Sequence, residues 1–85
     1  MPKVRKSAVQ IRFEILEFLY YKREPQLRTY IWRKATSLSY DDFLKHLSYL
    51  KERNLIEETE DGLCKITEKG RRIYDELRNA LPSIL

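Results

Sequence analysis

The stretch from Ser39 to Ile66 constrains the fold more than any other part of this sequence, because its apolar spacing changes from helical to strand-like. Phe43, Leu47 and Leu50 recur at the spacing of one helix face. Ser39 is a suitable N-cap residue for that helix, because its hydroxyl can accept a hydrogen bond from an amide of the first turn. The segment therefore begins with an amphipathic helix.

The second half of this stretch predicts a β-hairpin. Asn54 stands where a residue in the left-handed conformation commonly ends a helix. Leu55 and Ile56 then begin one strand, residues 63–66 form the other, and Asp61-Gly62 supplies the turn chemistry between them. A helix running directly into a hairpin is the pattern of a reading helix followed by a wing.

The apolar pattern outside this stretch predicts three further helices. Each has a cap or a breaker at the expected place. They are a helix from a Ser7 cap to about Lys22, a short helix over residues 27–35, and a helix from Glu68, capped by Thr67, to about Ala80, ended by Pro82.

The predicted order is helix, helix, helix, two-stranded wing, helix. A mainly α protein with this order and a small β-hairpin is a winged helix-turn-helix domain. We assign residues 7–81 to the domain, residues 1–6 to a basic flexible tail and residues 82–85 to a C-terminal tail.

The first helix is unusually apolar, which predicts a homodimer. Its apolar residues fill an arc of roughly 220°, whereas a surface helix needs a stripe a little over ~100° wide. A chain of 85 residues has a marginal core, so a second copy is a plausible cover. We expect dimer contacts through Ile11, Ile15 and Phe18, with the last helix as a further candidate surface.

Two segments, LSYDDFLKHLSYLKERNLIEE and CKITEKGRRIYDEL, resemble the small archaeal winged-helix proteins of the Sso10a-like type. The resemblance covers about residues 11–81 and is most specific over residues 37–72. It implies binding of duplex DNA, often as a dimer, with a DNA-binding or regulatory role. By position it implies that Ser39, Tyr40, Lys45 and Tyr49 lie on the DNA side, and that residues 67–70 form a structural turn.

This sequence departs from the Sso10a-like pattern at two places. Asn54 replaces the usual Gly, and Asn is the next best residue for the left-handed conformation. Pro82 is expected to end the last helix, which the Sso10a-like type continues into a long antiparallel coiled coil. The sequence therefore favours the first helix for dimerisation.

Charge is divided unevenly along the chain, whose formal net charge is +4. Residues 1–36 hold nine Lys and Arg against three acidic residues, whereas residues 37–64 hold three against seven. Because phosphates repel carboxylates, the predicted wing is a poor site for gripping DNA. We therefore expect most phosphate contacts to come from cations elsewhere in the chain.

The predicted DNA contacts are cations of the tail and second helix, together with polar residues of the third helix. The tail cations would reach along the backbone or into the minor groove, and Lys45 would sit at the major groove. The full set is Lys3, Arg5, Lys6, Arg28, Arg33, Lys34, Ser39, Tyr40, Lys45, Ser48 and Tyr49.

Structural interpretations of the same residues stay open. The acids of the third helix could simply favour its dipole on a solvated face. Tyr40 and Tyr49 could pack at the edge of the core. The alternative function is a protein-interaction winged helix that presents its acidic third helix and wing. Trp32 is interpreted as a core or interface residue, His46 as a packed or solvated side chain, and Cys64 as a small buried apolar residue.

The sequence predicts no enzyme, cofactor, metal site or small-molecule substrate. Asp41 and Asp42 are adjacent and diverge on a helix, and two glycines cannot build a phosphate-cradling loop. The single Cys64 provides neither a disulfide nor a metal cluster. With no ~20-residue apolar run and no secretory h-region, we expect a cytoplasmic protein.

Overall fold

Helices and a small sheet alternate along the chain in the predicted order, with one additional strand. The structure is a computed structural model that describes residues 6–84, with side chains through residue 80. Its elements are α1 (Ala8–Tyr20), β1 (Gln26–Leu27), α2 (Arg28–Ala35), α3 (Tyr40–Glu52), β2 (Ile56–Glu58), β3 (Leu63–Ile66) and α4 (Glu68–Ile84).

The predicted helix signals at α1 and α3 are confirmed. The Ser7 hydroxyl accepts a hydrogen bond from the amide of Gln10 at 3.1 Å, and the Ser39 hydroxyl accepts from Asp42 at 3.3 Å. Asn54 has a φ of 62°, the left-handed conformation that ends α3. These local signals fix where the reading helix starts and where the chain turns into the sheet.

The sheet has three strands rather than the two of the predicted hairpin. β3 lies in the centre and pairs antiparallel with β2 on one side and with β1 on the other. Gln26 is opposite Cys64, and Leu27 is opposite Leu63. Two residues are too few to show an alternating pattern, which is why the sequence indicated only a break there.

Helix α1 runs through the middle of the core. Ile15, Leu16 and Leu19 are at most 2% exposed, and α2, α3, α4 and β3 all pack around this helix. Phe43, Leu47 and Leu50 supply the buried face of α3, as predicted. The centre of the wide apolar arc of α1 is therefore covered by other elements of the same chain, whereas Val9 near its start is 66% exposed.

This burial corrects the predicted dimer contact through α1. Ile15 is 0% exposed and cannot meet a second copy. Ile11 and Phe18 are partly buried against the same core, and the Phe18 ring lies 5.9 Å from that of Tyr30. For Ile15 the prediction was wrong, because the apolar width of a helix does not reveal whether its cover comes from its own chain or from another.

A tight junction joins the end of α3 to the start of α4. The Thr67 amide donates to the carbonyl of Leu55 at 3.0 Å, and the Thr67 hydroxyl donates to the carbonyl of Asn54. The same hydroxyl accepts from the amide of Gly70 at 3.0 Å and so caps α4. Gly70 is buried so closely that a Cβ there would overlap the carbonyl oxygen of Leu55.

Aromatic rings fasten α4 to α1. Tyr74, 1% exposed, lies with its ring centroid 5.1 Å from Phe13 and 4.5 Å from Tyr20. Its hydroxyl donates to Glu17 at 2.8 Å. Burial, with hydrogen bonds to Tyr21 and Glu17, raises the pKa of Tyr74 above its ordinary value. The buried hydroxyl therefore stays neutral across the physiological range.

Helix α4 extends to Ile84, farther than the end near Ala80 that the sequence predicts. Pro82 has no amide hydrogen, but its fixed φ is compatible with a helix. In the final turn its presence costs one intrahelical hydrogen bond without ending the helix. Of the predicted tail at residues 1–6, all but Lys6 lies outside the described residues.

Replacing Gly70 with Ala should destabilise the fold, because the added methyl group overlaps backbone that cannot move independently. We expect the free energy of unfolding to fall by about 1–3 kcal/mol, measured by urea denaturation. Lys69→Ala, at the adjacent exposed position of α4, is the matched control and should change it by less than about 0.5 kcal/mol. Equal stabilities of the two variants would contradict the assigned packing.

Candidate nucleic-acid interface

The outer face of α3 is an accessible helical surface beside the wing. Asp41, Lys45, Ser48 and Glu52 lie along it and are all exposed. The opposite face of the helix is held in the core. At about 1.5 Å per residue, the 13 residues of α3 span about 20 Å. An exposed helix of this length fits a major groove, which is about 12 Å wide.

The predicted residues Lys45, Ser48 and Tyr49 lie together on this face. They line a shallow groove with Leu44 and Glu52. Lys45 Nζ is 3.9 Å from a carboxylate oxygen of Asp42, one turn earlier. The pair is strongly exposed, so its contribution to stability is small and the ammonium group stays available to other partners.

Ser39 and Tyr40 occupy structural positions at the start of α3. The Ser39 side chain is the N-cap described above. The Tyr40 ring packs edge-on against Trp32 at 5.1 Å and lies 6.0 Å from Phe43. Trp32 Nε1 in turn donates to the carbonyl of Leu38 at 2.6 Å. These contacts anchor the turn between α2 and α3, which sets the angle of the exposed helix.

One flank of α3 faces the wing, and its charges are paired with one another. A carboxylate oxygen of Glu58 lies 3.3 Å from Lys51 Nζ and 3.8 Å from Arg28 Nε. Glu57 lies 3.2 Å from Lys65 Nζ across the β2–β3 pair. We call these five residues the wing flank. Its acids serve as partners for cations of this chain.

The tip of the wing is acidic as well as exposed. The amide of Thr59 donates to the carbonyl of Leu63 at 2.7 Å, and the amide of Gly62 donates to the carbonyl of Thr59 at 2.9 Å. Gly62 takes a φ of 81°, which the tight turn requires. Glu60 and Asp61 project at this turn and are exposed. The tip therefore presents negative charge.

The other flank of α3 faces α1 and carries two arginines on one aromatic ring. The Arg12 guanidinium carbon lies 3.5 Å from the centre of the Tyr49 ring, and that of Arg53 lies 4.3 Å from it. We call Arg12, Tyr49 and Arg53 the arginine flank. Both distances are well within cation–π range. Among the described residues, neither guanidinium has a carboxylate within 4.0 Å.

His46 is a hydrogen-bond partner of the arginine flank. Arg12 Nε donates to His46 Nδ1 at 3.3 Å, so the neutral imidazole carries its own proton on Nε2. Burial and the positive charge of Arg12 lower the pKa of His46, and the charge of Asp42 opposes this shift. A neutral imidazole therefore fixes the direction of the Arg12 side chain.

The predicted cations outside α3 are dispersed. Lys6 Nζ lies 2.6 Å from Glu14 on α1, and Arg28 belongs to the wing flank. Lys34 lines a groove between α1 and α2 with Phe18, and exposed Arg33 lies in the last turn of α2. Lys3 and Arg5 lie outside the described residues. The members of this set that the structure describes are thus not gathered into one cluster beside α3.

Arg12 and Arg53 were absent from the residues predicted from the sequence. Arg53 had a local signal, because it follows Tyr49 by four residues and such pairs meet on a helix surface. Arg12 had none, because it lies 34 residues from His46 in the chain and reaches α3 only through the packing of α1.

Cys64 is buried and unpaired at the centre of the sheet. Burial, with the nearby charge of Glu58, raises the pKa of the thiol, so it is a protonated and unreactive side chain. The described residues contain no group of three or more His, Cys, Asp or Glu side chains placed to hold a metal ion. Over the same residues, no helix is both long and apolar enough to cross a membrane.

Comparison with known proteins gives a family and a structural neighbour. The winged helix-turn-helix family matches the chain over residues 5–82. The crystal structure of AF1382 from Archaeoglobus fulgidus superposes with a TM-score of 0.72, at 19% sequence identity, covering 86% of each chain. At that identity the likeness is one of fold. No curated protein matches the chain.

The His46 environment predicts a pH dependence. Because the folded-state pKa is lowered from 6.5, folding favours the neutral ring. This contribution to stability is present above pH 6.5 and is lost as the pH falls through the lowered value. His46 is the only histidine, so its NMR titration is unambiguous.

In that titration Arg12→Ala should raise the His46 pKa, because it removes the nearby positive charge and exposes the ring. The control His46→Gln keeps a hydrogen-bond acceptor for Arg12 and should abolish the associated loss of stability at low pH. A His46 pKa at or above 6.5 in the unmodified protein would contradict the assigned contact.

Proposed function

This chain belongs to the winged helix-turn-helix family, and from that premise we propose that it is a cytoplasmic, non-enzymatic protein that binds double-stranded DNA through α3. We further propose that it acts as a homodimer, as a transcriptional regulator or a nucleoid-associated factor. The family supports DNA binding in general. The regulatory or nucleoid-associated role and the homodimer go beyond what the family supports.

The exposed face of α3 carries the proposal. This face holds Lys45, Ser48 and Tyr49 in one groove, on a helix whose position is fixed by the packing of Tyr40 and by its buried side. A helix that enters a major groove needs such a face, because base edges are read by hydroxyl, amide and cationic groups at close range. Exposed Glu52 adds an acceptor suited to cytosine N4.

Helix α4 offers an apolar surface for homodimerisation, whereas Ile15 at the centre of α1 is buried within the chain. Tyr74 packs on α1, whereas Leu77, one turn later, is 38% exposed. Leu81 follows in the sequence by another four residues, which is the spacing of a helical stripe. A partner helix along this stripe would bury apolar surface and set the separation of two α3 helices.

A salt titration tests DNA binding. A dimer that makes six to ten phosphate contacts should lose about 10³–10⁵ in affinity for a mixed-sequence duplex between about 50 and about 200 mM salt. Fluorescence anisotropy of a labelled duplex measures this directly. No binding at about 50 mM salt would contradict the proposal. It would favour the alternative, in which the acidic outer face of α3 and the wing tip meet a basic protein.

Light scattering tests the dimer through α4. The unmodified protein should show twice the chain mass of 10.3 kDa at micromolar concentration, and Leu77→Asp should show the chain mass itself. Asn79→Asp places the same charge at another exposed position of α4 and should stay dimeric. A monomer before any substitution would remove the dimer and leave the DNA-binding proposal standing.

A further inference from the structure

We propose that the duplex is gripped from the arginine flank of α3, with Arg12 and Arg53 on the phosphates of one strand, and that the wing makes no phosphate contact. This inference rests on the proposed DNA binding and adds which side of α3 holds the backbone. It extends the expectation from the sequence that the acidic wing is a poor site for gripping DNA, and it replaces the dispersed cations predicted there with two arginines beside α3.

The stacking on Tyr49 presents both guanidinium groups as phosphate donors. Their centres lie 3.5 and 4.3 Å from the same ring centroid, so both positive charges are held against one side chain of α3. A guanidinium stacked on a ring keeps the N–H bonds in its own plane, where they remain free to donate. Paired donors of this kind match phosphate oxygens bidentately.

Arg12 is also oriented before any ligand arrives. Its Nε–H is used by His46 at 3.3 Å, which leaves the two terminal nitrogens as donors. The side chain is partly buried between α1 and α3, whereas Arg53 is exposed at the end of α3. DNA binding would therefore cost little side-chain entropy at Arg12, because this side chain is already held in place. Preorganisation of this kind favours affinity.

The wing flank offers no comparable site. Its cations Arg28, Lys51 and Lys65 each have a carboxylate of Glu57 or Glu58 within 4.0 Å. A phosphate approaching there would have to displace a carboxylate that stays nearby and repels it. The tip beyond carries Glu60 and Asp61. Both parts of the wing are thus electrostatically unsuited to the backbone.

The remaining charges near the arginine flank do not cancel it. Asp42 lies in the first turn of α3, with the opposite charge of Lys45 3.9 Å away. Glu52 is the last residue of α3 and lines the groove with Lys45 and Ser48, on the face that in a docked duplex would meet base edges rather than phosphates. A strand running beside Tyr49 would meet the two arginines first.

Two double variants that remove equal charge separate the flanks. One is Arg12→Ala with Arg53→Ala, and the other is Lys51→Ala with Lys65→Ala. Binding of a mixed-sequence duplex is followed by anisotropy as a function of salt. Each lost phosphate contact should reduce the slope of log affinity against log salt by about 0.9. We expect a reduction of about two for the arginine pair and of less than about 0.5 for the lysine pair.

Variants that keep both positive charges separate the effect of charge from the effect of the planar guanidinium donors. Arg12→Lys with Arg53→Lys keeps both charges without the planar donors, so the salt slope should be retained while affinity falls severalfold. Circular dichroism checks that each variant is folded. If the arginine variant is unfolded, Arg53→Ala alone, at an exposed position, should still reduce the slope by about one.

The outcomes distinguish this inference from the proposed function. The inference alone would be overturned if the protein binds DNA and the lysine double variant reduces the salt slope as much as the arginine double variant, or more. A protein that fails to bind any duplex at about 50 mM salt would overturn both. Selective loss with the arginine pair supports the assigned grip.

Discussion

The junction between α3 and α4 is the constraint on which the rest of the structure depends. Thr67 joins the backbone of Asn54 and Leu55 to the first turn of α4, and Gly70 lets that turn lie directly on the Leu55 carbonyl. Because β2 and β3 lie between these two points in the chain, closing the junction folds the hairpin back on itself. The same closure directs α4 across α1, where Tyr74 completes the core.

Charge pairing explains part of the acidic character of the segment from α3 to the wing. Glu58 holds Lys51 and Arg28, so this acid orders the side of α3 that faces the sheet, whereas Glu57 holds Lys65 across the β2–β3 pair. Ion pairs at partly exposed positions contribute little to stability. Their larger effect is to decide which cations are occupied and which remain available.

Local signals in the sequence predicted the fold well, and long-range contacts accounted for what was missed. Ser7, Ser39 and Asn54 mark their helix ends because a cap depends on a few neighbouring residues. The strand β1 was missed because two residues have no periodicity, and its partner β3 is far along the chain. The burial of Ile15 was misassigned to a dimer because a helical wheel shows width, not the identity of the cover.

The same distinction between local signals and long-range contacts applies to the candidate site. The outer residues of α3 could be listed from its periodicity alone, since the buried face fixes the exposed one. Arg12 could not be found in this way, because its place beside Tyr49 follows from how α1 crosses α3. Lys34 was assigned to DNA on charge and lines a groove between α1 and α2, so its contact with DNA stays a prediction.

The unequal flanks of α3 also bear on how quickly a complex forms. One flank presents cations without carboxylate partners among the described residues, and the other is neutralised and ends in an acidic tip. Such a separation gives the domain a directional electric field, which turns it toward a polyanion during diffusional approach. Encounters would begin with the arginines foremost, so association would be fast at low ionic strength and would slow steeply as salt screens the field.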